Sequence, residues 1–220
     1  MQINVNDINL FYTCQGVGEP LIMLHGNGED HTIFDEAVDV LSKYFRVYAI
    51  DTRDHGQSDK VEELHYDDMA EDIRLFIETL QLGNPILYGF SDGGIIGLIL
   101  ASKYPNLLSK VIGSGVNVNP DGLVKGWHLI FKMIYFFGRS PKFRLMLTEP
   151  NITAEQLGKI NIPVFLTCGS KDMIRQKHMK EVADSIPGAK LMIFDGEKHG
   201  SYIIHSPKIA EIILEICKKE

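Results

Sequence analysis

The chain has 220 residues, of which 45% are hydrophobic, and a formal net charge of −7. That length suits one α/β domain spanning residues 1–220 with an insertion. An acidic chain without a conspicuous basic cluster disfavours both a nucleic-acid partner and an anionic membrane surface. Three scattered cysteines, Cys14, Cys168 and Cys217, form no Cys-x-x-Cys pair, which argues against a disulfide framework or thiolate metal site and fits a reducing compartment.

The N-terminal runs Gln2 to Asn6 and Asn9 to Cys14 alternate in polarity around Asp7, which predicts an antiparallel hairpin and lacks the layout of a signal peptide. Pro20 to Leu24 then begins a series of continuous apolar strands, with Arg46 to Ile50, Pro85 to Tyr88, Lys110 to Ile112, Pro163 to Thr167 and Lys190 to Phe194. Between them, helical periodicity covers Thr32 to Tyr44, Tyr66 to Leu80, Asp92 to Lys103, Gln176 to Ser185 and Ser206 to Lys218. Strands alternating with helices predict an α/β fold: a mostly parallel sheet with helices on both faces and the hairpin at one edge. The exception is residues 116–162, which hold no credible strand. An apolar helix around Trp127 to Phe137, then Pro141, Pro150 and a short helix from Thr153 to Lys159, read as a small cap inserted in the domain. No apolar stretch approaches the ~20 residues a membrane span needs, so a cytoplasmic protein is expected.

Ligands of parallel sheets bind at the carboxyl ends of the strands. His25-Gly26-Asn27-Gly28, Asp51 to Gly56, Ser91, Asp172 and His199 all fall there. Gly89-Phe90-Ser91-Asp92-Gly93 sets a serine on a strand-to-helix turn, where glycines permit close backbone approach and the helix N-terminus favours developing negative charge. Serine nucleophiles need a base and a group to orient it. After Ser91 the chain offers Asp172, in Gly169-Ser170-Lys171-Asp172, and then His199, in Lys198-His199-Gly200. His178 and His205 read as surface or packing residues, and His25 and His55 as turn-fixing ones. The acidic residues from Asp51 to Asp68 show no zinc or calcium ligand spacing, so no metal is expected.

These pieces together resemble the α/β-hydrolase superfamily over essentially the whole chain. They are the His25-Gly26 turn, an Asp51 to Ser58 stretch similar to the family's Asp-x-Arg-Gly-His-Gly-x-Ser loop, the Ser91 elbow, the Gly-x-x-Asp turn at Asp172, and the late His199. The resemblance implies Ser91 as nucleophile, His199 as general base and acid, and Asp172 as the orienting carboxylate. It implies an oxyanion hole from the backbone N–H groups of Asn27 and Asp92. Two positions depart from the family's pattern: Asp54 stands where a glycine is usual, and Asp92 places a carboxylate beside the nucleophile, expected to point away from the oxyanion pocket.

The activity implied is hydrolysis of a small or medium carboxylic ester through an acyl-enzyme, with no cofactor. Trp127, Ile130 and Ile174 are expected to line the substrate pocket. Alternatives are a lactone, thioester or carbon-carbon bond hydrolase with the same triad, or a ligand-binding protein on this scaffold. The partner expected is a small-molecule ester, and the protein is expected to be a monomer or a homodimer with the apolar cap as a possible dimer surface.

Overall fold

Asn6 and Asp7 adopt left-handed backbone, at φ 48° and 61°. They reverse the chain between β1 (Gln2–Val5) and β2 (Ile8–Gln15), which pair antiparallel with Val5 opposite Ile8. From there the computed structural model, which describes residues 1–218, follows the alternation of apolar runs. The strands are β3 (Glu19–Leu24), β4 (Phe45–Ile50), β5 (Ile86–Phe90), β6 (Lys110–Ser114), β7 (Val164–Gly169) and β8 (Lys190–Phe194). The helices are α1 (Asp35–Leu41), α2 (Tyr66–Thr79), α3 (Asp92–Lys103), α4 (Lys125–Gly138), α5 (Pro141–Thr148), α6 (Ala154–Leu157), α7 (Gln176–Ser185) and α8 (Lys208–Lys218).

All eight strands form one sheet in the order β1-β2-β4-β3-β5-β6-β7-β8, parallel from β4 to β8 and antiparallel through β1 and β2. The period-2 rule divides its core. Along β3, Leu21 and Met23 join the apolar layer containing Phe34 and Val38 beside α1 and Ile209 and Ile213 of α8. Ile22 and Leu24 join the opposite layer, with Met69 and Ile73 of α2 and Ile95 and Ile96 of α3. Burial on both faces explains why these strands are apolar throughout, each large side chain contributing about 1.5–3 kcal/mol by leaving water.

The segment between β6 and β7 is helical, as expected, but its helices differ from the expectation in one respect. No helix was expected between Phe137 and Thr153, yet Pro141 begins α5 there. Proline suits the first helical position because its missing N–H would be unpaired there anyway. Arg139, left-handed at φ 51°, ends α4 just before it. Thr153 and Gln156 cap α6 reciprocally, each side chain bonded to the other's backbone N–H. Among the described residues no helix is long and apolar enough to cross a membrane.

Candidate active site

β5 delivers the chain into Ser91 at φ 49° and ψ −112°, a strained conformation for a residue with a Cβ. The surroundings hold it there. Ser91 N–H donates to Ser114 O at 2.8 Å, Gly93 N–H to His25 O at 3.1 Å, and Ile95 N–H returns to Ser91 O at 3.0 Å. The flanking glycines are sterically required, since a Cβ on Gly89 would lie 2.2 Å from the Gly93 carbonyl carbon and one on Gly93 would lie 2.3 Å from Leu24 O. Ser91 thus sits at the N-terminus of α3, where the first-turn N–H groups have no partner within the helix.

Two loops beyond neighbouring strands supply the next groups. Asp172, past β7, has a fully buried side chain, and His199, past β8, is 15% exposed at its side chain. Their contact is short, His199 Nδ1 to Asp172 Oδ1 at 2.6 Å, and Ile174 N–H donates to the same oxygen at 2.9 Å. Asp172 Oδ2 is buried without a hydrogen-bond partner among the described residues. The imidazole rests against Phe90, ring centres 4.9 Å apart. Its other wall is Gly115, at φ +61°, where a Cβ would stand 2.6 Å from His199 Cε1. Gly115 was not singled out from the sequence, although a glycine directly after a buried strand was the available signal.

Ser91 and His199 line one cavity of about 280 Å³ with Asn27, Glu29, Phe131 and Met173. Among the described residues Ser91 Oγ makes no hydrogen bond to His199. Such bonds are often long without substrate and tighten when it binds. A cleft of about 490 Å³ between His65, Lys103 and Glu149 is larger but touches neither residue.

The carboxylate after the serine does not stand free. Asp92 accepts from Tyr66 Oη at 2.8 Å and from Asn27 Nδ2 at 3.0 Å. Burial pushes its pKa up to about 6, against the lowering effect of these two donors. Glu29 is a second acidic group at the cavity, missed from sequence because one more charge in a polar loop carries no signal. Its Oε2 accepts from Gly26 N–H at 3.0 Å. A Cβ on Gly26 would lie 2.8 Å from Glu29 Oε2 and 3.2 Å from Ser91 Cβ, so the two side chains are neighbours across that glycine. Burial pushes the Glu29 pKa up to about 7.

The remaining residues fix the frame. His25 Nε2 accepts from Thr52 N–H at 3.1 Å, which makes Nδ1 the donor to Gly26 O at 2.8 Å. Asp54 is left-handed at φ 65°, the geometry an aspartate tolerates. His178 is buried and accepts from Val118 N–H at 3.2 Å. Asp30, His31 and Asp51 lie close enough to share an ion. Asp51 Oδ1 accepts from His31 N–H and Oδ2 from Gln57 N–H, while Asp30 Oδ1 accepts from Thr32.

Of the three residues expected in the pocket, Ile174 is buried beside Ser91 and Asp92 in a small adjoining void. Trp127, 41% exposed, lines an outer groove that includes His199. Ile130 is 43% exposed and lines neither; its neighbour Phe131 takes the inward position, because α4 turns His128, Phe131 and Tyr135 toward the domain.

A mostly parallel eight-stranded sheet with a strained serine turn after β5 and an Asp–His pair after β7 and β8 defines the α/β-hydrolase architecture. The chain belongs to the alpha/beta hydrolase fold family, which it matches over residues 19–143. It is 44% identical to the AB hydrolase superfamily protein YisY of Bacillus subtilis, over 94% of this chain and 95% of that protein. Similar solved structures include a carboxylesterase study from Nitrososphaera gargenis, with TM-score 0.85, 18% identity and coverage of 100% of this chain and 98% of that one. The enol-lactonase of Burkholderia xenovorans has TM-score 0.83 and 18% identity, covering 99% of this chain and 100% of that one. The family match and the 44% identical relative support hydrolase chemistry, and the solved structures share the fold.

Proposed function

We propose that the protein is a serine hydrolase that cleaves a small or medium carboxylic ester through an acyl-enzyme. The observation that carries this reading is the 2.6 Å His199–Asp172 hydrogen bond beside a cavity whose other wall holds the strained Ser91. Ser91 Oγ attacks the ester carbonyl while His199 Nε2 takes the hydroxyl proton. Asp172, bound to Nδ1–H, holds the required tautomer and stabilises the imidazolium. The oxyanion is received by the backbone N–H groups of Asp92 and Asn27, each such donor being worth roughly 100- to 1000-fold in rate. His199 then protonates the departing alkoxide, and an activated water releases the acid.

Apart from the hydrolytic water, every step uses groups of the chain itself. Phe131, Phe143, Met146 and Met173 give the cavity an apolar wall suited to an acyl chain. Residues 116–162 act as the cap that shapes it, within a single domain. The three free cysteines fit a reducing, cytoplasmic setting.

Labelling with a fluorophosphonate probe tests the nucleophile: wild type reacts and Ser91→Ala does not. Labelling that ignores this substitution, or none at all, overturns the hydrolase reading in favour of a binding protein. Turnover of p-nitrophenyl esters beside lactones, thioesters and ring-cleavage products then tests the substrate class. Turnover of a non-ester alone removes the esterase assignment.

A further inference from the structure

We propose that α4 docks the protein on an anionic lipid surface. The helix has one inward stripe, His128, Phe131 and Tyr135, and turns most of its other apolar side chains to solvent. Leu129 is 62% exposed, Met133 55%, Phe136 68% and Phe137 80%. An apolar face of this kind, three turns long, is uncommon on a protein surface without a partner.

Charge identifies the partner. Residues 122–148 contain five cations, Lys125, Lys132, Arg139, Lys142 and Arg144, and no aspartate or glutamate. The whole chain is −7, so the remainder is more acidic still. Lys142 pairs with Asp54 and Arg144 with Glu63, both at 3.4 Å. Lys125, Lys132 and Arg139 have no acidic partner among the described residues. The overall charge, which disfavours an anionic surface, therefore conceals a basic and apolar segment gathered at one place.

A second copy fits this face poorly. A twofold contact through α4 would set basic segment against basic segment. Pairing α4 with the acidic body of another copy would leave both molecules with an open face. A bilayer needs no matching groove. It takes a convex helix with aromatic side chains immersed at the headgroup boundary and lysine or arginine beside them, stems in the apolar layer and charges among the headgroups.

The placement also bears on substrate. The inner stripe of α4 supplies Phe131 to the Ser91 cavity, and Trp127 lines the groove beside His199. A docked α4 therefore sets both openings near the acyl region, where lipid-soluble esters concentrate. Binding itself does not depend on Ser91.

Flotation with vesicles of phosphatidylcholine and phosphatidylglycerol, against phosphatidylcholine alone, tests the proposal. Wild type and Ser91→Ala are expected to bind the anionic vesicles equally, at least tenfold better than neutral ones, with loss of binding in high salt. Phe136→Ser/Phe137→Ser and Lys125→Glu/Lys132→Glu, checked for folding by near-ultraviolet circular dichroism and thermal unfolding, are each expected to lose that binding. Absence of anionic-vesicle binding by wild type, or binding that survives both double substitutions, overturns the proposal. A wild-type dimer in sedimentation that becomes monomeric with Phe136→Ser/Phe137→Ser overturns it in favour of a second copy. The failure of Ser91→Ala to react with fluorophosphonate concerns the hydrolase reading alone.

Discussion

Tyr66 donates its phenolic hydrogen to Asp92 Oδ1 at 2.8 Å, tying the residue after the proposed nucleophile to the first turn of α2. Asn27 holds the other oxygen. The carboxylate beside Ser91 is therefore spent on two donors, and it fastens the loop whose Asn27 backbone N–H is proposed to receive the oxyanion. Tyr66→Phe leaves a buried acceptor short of a donor, at an expected cost of about 1–3 kcal/mol. Urea denaturation should show this loss, with kcat falling far less than in the triad variants.

The triad variants define the other end of that scale. Ser91→Ala, His199→Ala and Asp172→Asn are each expected to lower kcat on the order of 10⁴-fold while circular dichroism stays unchanged. Asp172→Asn tests the orienting role, since an amide would leave His199 in the wrong tautomer. Retention of more than a tenth of wild-type turnover would remove Asp172 from the mechanism.

Glu29 gives a pH prediction with a definite sign. Its folded pKa, about 7, lies above its ordinary value of 4.5. Below pH 4.5 both folded and unfolded chains carry the proton. Between 4.5 and 7 the unfolded chain releases it first, so stability falls as pH rises, then levels off above 7. Asp92, raised to about 6, acts in the same direction. Glu29→Gln removes the Glu29 part, and is expected to be more stable than wild type by about 1–2 kcal/mol at pH 8 and indistinguishable at pH 4. Denaturation series at the two pH values measure the difference.

Gly115→Ala combines an unfavourable positive φ with a Cβ placed 2.6 Å from His199 Cε1. The expected result is a stability loss of about 1–3 kcal/mol and, from the displaced imidazole, a kcat loss of roughly 100-fold with KM little changed. An activity loss no greater than that of Tyr66→Phe would show that the ring tolerates displacement.

The arrangement of the sheet was legible because the strands buried on both faces are continuous apolar runs, as in Leu21 to Leu24, and the hairpin alternates. The positions of Ser91, Asp172 and His199 at one end of that sheet were legible because each directly follows such a run. Pro141 was less readable, since a proline marks a helix start as well as a break. The cap was least readable: α4 is apolar almost all round, so its periodicity cannot choose an inward face, and Phe131 occupies the place expected of Ile130.

Periodicity and turn chemistry act over a few residues, and these local preferences were sufficient to specify the order of strands and helices and the candidate catalytic side chains. They also contain the run of cations without acids from 122 to 148, which the overall charge obscures. The partners of those side chains were decided by folding. Tyr66 meets Asp92 across 26 positions and His199 meets Asp172 across 27. Glu29 comes beside Ser91, and Gly115 beside His199, only because the parallel strands β3, β5, β6 and β8 have their carboxyl ends at the same end of one sheet. Such contacts depend on packing between separate elements, for which no short stretch of sequence carries a signal.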